Sequence, residues 1–507
     1  MRATLGAAVR LNCNKAERAL VRDFLSEPSF IYAIAQKTKK GRYKKVDGKY
    51  VPAKQKISYF LERKETDGTW TIYIPSGALA LLEKKIDQLV ITKKVNAPVE
   101  DIKFLPEKKK ELQLRAFQTE ALVASKKEDQ GIFLVPTGGG KTILGLCLIA
   151  QKKTKTLIIC DSTQIFNQWI TSIEEMFGFY PGIVKAKKID LEPPIVVAMS
   201  QTMINHSEMK ASSKIFGLLI VDECQQIGPG SFYSNDSPIF NGMGTITQWF
   251  SSRYKYGLSD SALRSDKQNC APIFALGDII YEVDYNQLER DNCVIKPELI
   301  IRQTEFVCKY QSGDYLKLVP ELIADEVRNL LIIKDLIAEQ NESCLILANS
   351  RKYVRMLAGM LIEHQPELNS RIVVLTSSTP QKERLAAIEK MKDKKINFLF
   401  CTSLADKGMD IPILNRLFMV FPGKFEGQKR QQLGRVVRFQ DAKEAKVYDY
   451  VDYQTPILMA QFLNRFKEVY LHRCIPDFTD SFVENLCKGR LKKYLSKQRT
   501  MALNFTV

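Results

Sequence analysis

Apolar residues fall in short runs along most of the chain, and polar, helix-compatible stretches separate them. The runs GIFLVP (131–136), KTLIICD (155–161), PIVVAMS (194–200) and FGLLIVDE (216–223) are bounded by turn residues and are short for buried helices. A second series comprises SCLILANS (343–350), RIVVLTS (371–377), NFLFCTS (397–403), RLFMVF (416–421) and KVYDYV (446–451), with helix-like stretches such as QKERLAAIEKMKDK (381–394) between them. Strands that alternate with helices and show no polar face predict parallel, doubly wound sheets. Two such sheets in tandem are expected, an α/β class.

The flanks read differently. KISYFLERKETDGTWTIYIP (56–75) holds two strand-like runs around Asp67-Gly68, a hairpin signal, and SGALALLEKKIDQLV (76–90) comes next with a serine cap and helical spacing. VNAPVEDIKFLPEKKK (95–110) reads as a linker. The expected organisation is a small α+β domain over 1–105, parallel-sheet domains over 106–295 and 296–452, and a short helical extension over 453–507.

The length of 507 residues agrees with several domains rather than one core. Eleven cysteines include no C-x-x-C pair and no Cys/His cluster, so neither a disulfide framework nor a zinc site is indicated. The three histidines (His206, His364 and His472) lack obvious partners, which argues against a histidine-based hydrolase. No apolar run is long enough for a membrane span, and charges come too early for a secretory signal; a soluble, cytoplasmic chain is expected. Of the net charge of +18, about two thirds lies in residues 1–110, which carry 24 Lys and Arg against 12 Asp and Glu. That asymmetry points to a polyanion, most simply nucleic acid, with solubility alone as the alternative.

The stretch LVPTGGGKT (134–142) has the ingredients of a phosphate-binding loop: a buried strand, a glycine turn and a helix start. Backbone N–H groups at a helix N-terminus face phosphate oxygens, and Gly138, Gly139 and Gly140 after Thr137 let the backbone approach. Lys141 supplies the counter-charge, and the Thr142 hydroxyl is a ligand for Mg²⁺. Val135 stands where the strict signature has its first glycine, so an ordinary Gly-rich turn is the competing reading. FGLLIVDECQQ (216–226) ends an apolar strand in Asp222 and Glu223, at the strand end where ligands of open α/β sheets bind. Asp222 would hold Mg²⁺ through water, and Glu223 would position and deprotonate the attacking water.

PTGGGKT together with the downstream DECQ resembles motifs I and II of the superfamily 2 helicases, whose motif I often lacks the first glycine. The resemblance extends over residues 112 to 452 and implies a role for each further motif. LRAFQ resembles the adenine motif, giving Arg115 and Gln118 that role. CDSTQIFNQW resembles motif Ia, with Ser162, Gln168 and Trp169 matching and Asp161 in place of proline; AMSQTM supplies Gln201 and Thr202. Ser162, Gln201 and Thr202 then lie along the nucleic-acid backbone, while Trp169 reads equally well as a core aromatic. YGLSDSALRSD resembles motif III, where Ser259 and Ser261, with Gln225 of DECQ, relay the nucleotide state; Asp260 and Ala262 depart from the pattern.

In the second half LILANS resembles motif IV (Asn349, Ser350), LTSSTPQKER places Arg384 in the next turn, and FCTSLADKGMDIP resembles motif V. Thr402 would touch the nucleic acid, and Gly408 and Asp410 would line the interdomain cleft. QQLGRVVR resembles motif VI, with Gln431, Arg435 and Arg438 at the transferring phosphoryl group. The implied fold is two tandem RecA-like domains, and the implied cofactors are ATP and Mg²⁺. DECQ and QQLGRVVR differ from the D-E-A-D RNA helicases and favour the DNA-acting branch that contains phage UvsW-type branch-migration helicases, XPB and restriction-enzyme motors. Branched DNA, forks and Holliday junctions, in recombination or repair, is the implied substrate.

The segment KTKKGRYKKVDGKYVPAKQK (37–56) suits such a partner on its own chemistry. Lys39, Lys40, Arg42, Lys44 and Lys45 would release counterions from phosphates, and Tyr43 and Tyr50 could stack on exposed bases. An ATP-regulated DNA clamp without translocation, or an RNA helicase, would carry the same motor motifs.

Overall fold

The computed structural model describes residues 9–35, 60–83, 99–206, 214–228, 242–260, 270–291, 293–308, 315–402, 413–422 and 444–476, with a few shorter pieces. It divides into two compact units: Met1–Pro136 with Gly140–Val283, and Thr137–Gly139 with Asp284–Val507.

The first unit begins with a five-stranded sheet. Its strands are β1 (Arg2–Thr4), β2 (Val9–Cys13), β3 (Leu61–Lys64), β4 (Trp70–Ile74) and β5 (Val90–Ile91), in the order β3-β4-β2-β1-β5. The predicted turn closes β3 onto β4: Gly68 takes φ 85°, and the Asp67 carboxylate accepts from Thr69 N at 2.9 Å. Along β2 burial alternates, so Val9, Leu11 and Cys13 face α1 (Lys15–Phe24), where Val21 is buried. Asn14 and Glu17 open that helix with a reciprocal capping box. A helix α2 (Ser76–Glu83) leads away from the hairpin.

The next sheet has eight strands, β6 (Gln130–Leu134), β7 (Thr156–Cys160), β8 (Gly182–Lys185), β9 (Lys188–Ile189), β10 (Ile195–Met199), β11 (Leu218–Asp222), β12 (Tyr254–Ser259) and β13 (Ile279–Glu282). The order is β9-β8-β10-β7-β11-β12-β6-β13, parallel except for the β8–β9 hairpin. Every residue of β7, β10 and β11 is buried, which is why these strands read as unbroken apolar runs. Helices α3 (Ala116–Lys127), α4 (Lys141–Lys152), α5 (Thr163–Phe177) and α6 (Cys270–Leu276) belong to the same unit.

The N-terminal sheet is docked on this one. Helix α2 lies backbone to backbone on the end of α6: a Cβ on Gly77 would come within 2.2 Å of Gly277 N. Phe24 meets Phe274 edge-on at 5.8 Å, and both sheets contribute to one apolar core.

The second unit carries a parallel seven-stranded sheet of β14 (Glu298–Gln303), β15 (Cys344–Ala348), β16 (Ile372–Leu375), β17 (Phe398–Thr402), β18 (Arg416–Met419), β19 (Lys446–Val451) and β20 (Ile475–Pro476). Its order is β16-β17-β15-β18-β19-β14-β20. Helices α7 (Glu326–Ala338) and α8 (Arg351–His364) are capped by Asp325 and Ser350. The tail forms α9 (Pro456–Arg465) and a short helix at Leu471–Arg473, then returns as the edge strand β20, which a purely helical extension does not include. No helix among the described residues is long and apolar enough to cross a membrane.

Candidate active site

Parallel register brings three strand ends together. Leu134 of β6 pairs with Ser259 of β12, and Asp222 of β11 pairs with Leu258 on the other side of β12. The chain leaving β6 reaches the N-terminus of α4 at Gly140, whose φ of 78° is left-handed. Lys141 is thereby set beside Glu223.

Lys141 Nζ lies 3.3 Å from Glu223 Oε1, with both side chains mostly buried. Gln225 Nε2 donates to the other Glu223 oxygen, and Ser259 Oγ donates to Gln225 Oε1 at 2.6 Å. Lys141, Glu223, Gln225 and Ser259 therefore form one continuous hydrogen-bonded line. Glu223 sits at φ 53°, ψ 45°, a left-handed conformation that costs a non-glycine residue about 1–2 kcal/mol. That strain, next to a buried carboxylate, aims the Glu223 side chain at Lys141.

The Asp222 carboxylate is buried. Oδ1 accepts from Glu223 N at 2.9 Å and Oδ2 from the Trp169 indole N–H at 2.9 Å. Burial pushes its carboxyl up to about 6, the Glu223 charge adds to the rise, and Lys141 and the Trp169 N–H oppose it. Burial disfavours the Lys141 ammonium, yet Glu223, Asp260 and Asp222 together hold its pKa above the ordinary lysine range. Three acidic groups thus act on one cation. Hydroxyl and carboxylate oxygens are hard donors of the kind Mg²⁺ prefers. Among the described residues no group of three or more His, Cys, Asp or Glu could hold a metal by itself. Such a set fits an ion bound through one or two protein ligands, waters and phosphate. Thr142 and Asp222 are the residues that would hold it.

Residues 108–259 match the family model described as type III restriction enzyme, res subunit, and residues 327–440 match the helicase conserved C-terminal domain. The chain belongs to the superfamily 2 helicases. It is an ATP-hydrolysing enzyme. It is similar to "DNA 3'-5' translocase XPB2" of Sulfurisphaera tokodaii, 27% identical over 412 residues that cover 74% of this chain and 90% of the relative. It is also similar to "General transcription and DNA repair factor IIH helicase/translocase subunit XPB" of Drosophila melanogaster, 20% identical over 66% of this chain and 43% of that one. Among solved structures, Saccharomyces cerevisiae Dbp5 bound to RNA and ADP BeF3 shares the fold, with TM-score 0.51, 14% identity and coverage of 76% of this chain and 97% of that one.

Other predicted residues of the helicase find definite places. Gln118 is buried; its Oε1 accepts from Arg115 N at 3.1 Å, and its Nε2 lies 3.5 Å from Gly140 O. It braces the start of α4. Ser162 caps α5 through Ile165 N. Gln201 Nε2 donates to Asp161 Oδ1 at 2.8 Å, and Thr202 Oγ1 accepts from Ala186 N at 3.0 Å. Asp161, where the family has proline, is thus the anchor that ties the end of β7 to the end of β10. In the second unit Asn349 is exposed, Ser350 caps α8, and the Thr402 hydroxyl is buried with no hydrogen-bond partner among the described residues. Arg384 closes its own turn on Thr376 O, Ser377 O and Thr379 O. Ser261, Gly408, Asp410, Gln431, Arg435, Arg438, Lys39, Lys40, Arg42 and Lys44 lie outside the described residues, and the side chain of Lys45 does too.

Two further residues of these motifs are placed beside the site. Trp169 is wholly buried and bonded to Asp222, which settles its place as a core aromatic. Asp260 is buried in the electrostatic field of Lys141, a third carboxylate where the family pattern has alanine. The departure from that pattern was its signal.

Proposed function

We propose that this helicase couples ATP hydrolysis to movement along DNA, and that forked or four-way DNA is its preferred track. The observation that carries the motor reading is the line Lys141–Glu223–Gln225–Ser259, which joins the phosphate-loop lysine to the strand end of motif III. In this structure Lys141 is engaged by Glu223. Nucleotide phosphates would draw the ammonium to themselves and free Glu223 to orient and deprotonate water. The shift in Glu223 then reaches Ser259 through Gln225. Thr142 and Asp222 would hold Mg²⁺, which would supply charge neutralisation on the phosphates. Arg115 and Gln118 are assigned to the base, Thr137, Gly138, Gly139 and Gly140 to the phosphates, and Gln431, Arg435 and Arg438 to the phosphoryl charge, with Gly408 and Asp410 beside them.

DNA as the polymer is supported by the similarity to a protein named as a DNA translocase and by the basic excess of residues 1–110. Ser162, Gln201, Thr202, Asn349, Ser350 and Thr402 are assigned to its backbone, and Lys39 to Lys45 to the branch. ATP turnover measured without nucleic acid and with linear, forked and four-way DNA or RNA tests each step. Stimulation should be strongest with branched DNA and absent in Lys141→Ala. No stimulation by any polymer overturns the motor reading, stronger stimulation by RNA overturns the choice of DNA, and equal response to linear and branched DNA overturns the branch preference.

A further inference from the structure

Helix α5 presents two consecutive residues to the two oxygen donors of the nucleotide site. Trp169 Nε1 donates to Asp222 Oδ2 at 2.9 Å, and Gln168 Nε2 lies 3.0 Å from Thr142 Oγ1. Consecutive helical residues point about 100° apart, so one turn of α5 grips the end of β11 and the first turn of α4 together. The grip is tight, because a Cβ on Gly145 of α4 would come within 2.4 Å of Trp169 Cη2. Trp169 is explained by packing, but Gln168 is exposed and the core does not need it. Its contact with Thr142 is therefore chemical rather than a by-product of burial.

We infer that Gln168 is a positioning residue for the Thr142 hydroxyl, setting the direction of its proton and lone pairs at the metal side of the phosphate loop. The inference rests on the assignment of Thr142 to Mg²⁺. A hydroxyl that gives a lone pair to a cation must send its proton to an acceptor. The glutamine amide has both a donor face and an acceptor face. With its N–H₂ toward Oγ1 the amide donates to the hydroxyl. Turned over, its Oε1 takes the Thr142 proton and leaves the lone pair free. Outer partners of this kind are worth about 10- to 100-fold in metal affinity.

Affinity for a fluorescent ADP analogue, measured in excess Mg²⁺ and in excess chelator, reads the effect without turnover. Wild type gains affinity from Mg²⁺. Gln168→Ala should lose about 10-fold of that gain and keep the chelator value, and Thr142→Ala should lose the gain altogether. The double variant should match Thr142→Ala, since the glutamine acts through the hydroxyl. Equal weakening by Gln168→Ala with and without Mg²⁺, or additive effects in the double variant, would overturn the inference while leaving Thr142 as a ligand. An intact gain in Thr142→Ala would overturn the metal assignment itself, and the inference with it.

Discussion

Charged side chains are buried beside both parallel sheets, but the two units use them in opposite ways. In the first unit the Lys141 ammonium is held charged by Glu223, Asp260 and Asp222 together at the strand ends of the candidate site. In the second unit each buried carboxylate among the described residues is matched. Asp449 receives Arg465 in a two-pronged bond (2.9 and 2.8 Å) and the Tyr470 hydroxyl; Glu339 receives Arg416 and Tyr448; Asp335 receives Arg302 and Tyr450. Asp452 takes Arg328 and Thr304. An arginine fork with a tyrosine or threonine hydroxyl uses up the acceptor positions that burial would otherwise leave costly. A complete set holds a framework. The Lys141 cluster stands instead at the strand ends of the candidate site.

Removing a partner should therefore give opposite results in the two places. Arg465→Met leaves Asp449 buried without its cation and should cost about 3–5 kcal/mol, read as an early urea transition. Glu223→Gln should lower ATP turnover by about 10² to 10⁴ while leaving the unfolding midpoint near wild type, because the amide keeps the size of the carboxylate and its hydrogen-bonding reach. If the two variants shifted stability alike, the distinction between framework charge and site charge would fail. A smaller effect is expected of Trp169→Phe, which keeps a ring against Gly145 but deletes the N–H on Asp222. Losing a hydrogen bond to a charged group costs about 1.5–3 kcal/mol. With that donor gone the Asp222 carboxyl should rise further above about 6, so the acid limb of the pH–rate profile should move to higher pH. An unmoved limb would show that Asp222 does not govern it.

Much of this was legible in the sequence where a strand is buried on both faces. The runs at 156–160, 195–199, 218–222, 344–348 and 398–402 are strands with every residue buried, and their motif residues stand at the strand ends. Strands with mixed polarity were less visible. YKYGLS (254–259) carries Lys255 and Gly257, and ELIIRQ (298–303) alternates because it lies near the sheet edge beside β20. Local pattern shows which residues end a strand, not which partner a side chain finds. That Gln168 reaches Thr142, Gln118 reaches Gly140 and Asp161 anchors Gln201 depends on helix placement, which no run of apolar residues records.

Lys255 extends the comparison to a third kind of buried charge, neither catalytic nor paired. It stands in β12 beneath the N-terminal sheet, almost wholly buried, with Nζ 3.0 Å from Ser76 Oγ and 3.0 Å from Thr247 O. No charged group among the described residues offsets the cost, and burial pushes its amine down to about 7 from an ordinary 10.5. Between those values the unfolded chain binds a proton that the folded chain does not, so stability from this group rises with pH across the window and is flat below about 7. Lys255→Met removes the penalty. The variant should gain most on wild type near and below about pH 7, and the gap should close as pH rises toward about 10, by at most about 1.4 kcal/mol per pH unit. Urea midpoints of both proteins at about pH 6.5 and about pH 9 measure the change in the gap. A gap that stays constant would mean that Lys255 keeps its proton, and that the hydroxyl and carbonyl of Ser76 and Thr247 suffice to hold a buried ammonium where the two sheets of the first unit meet.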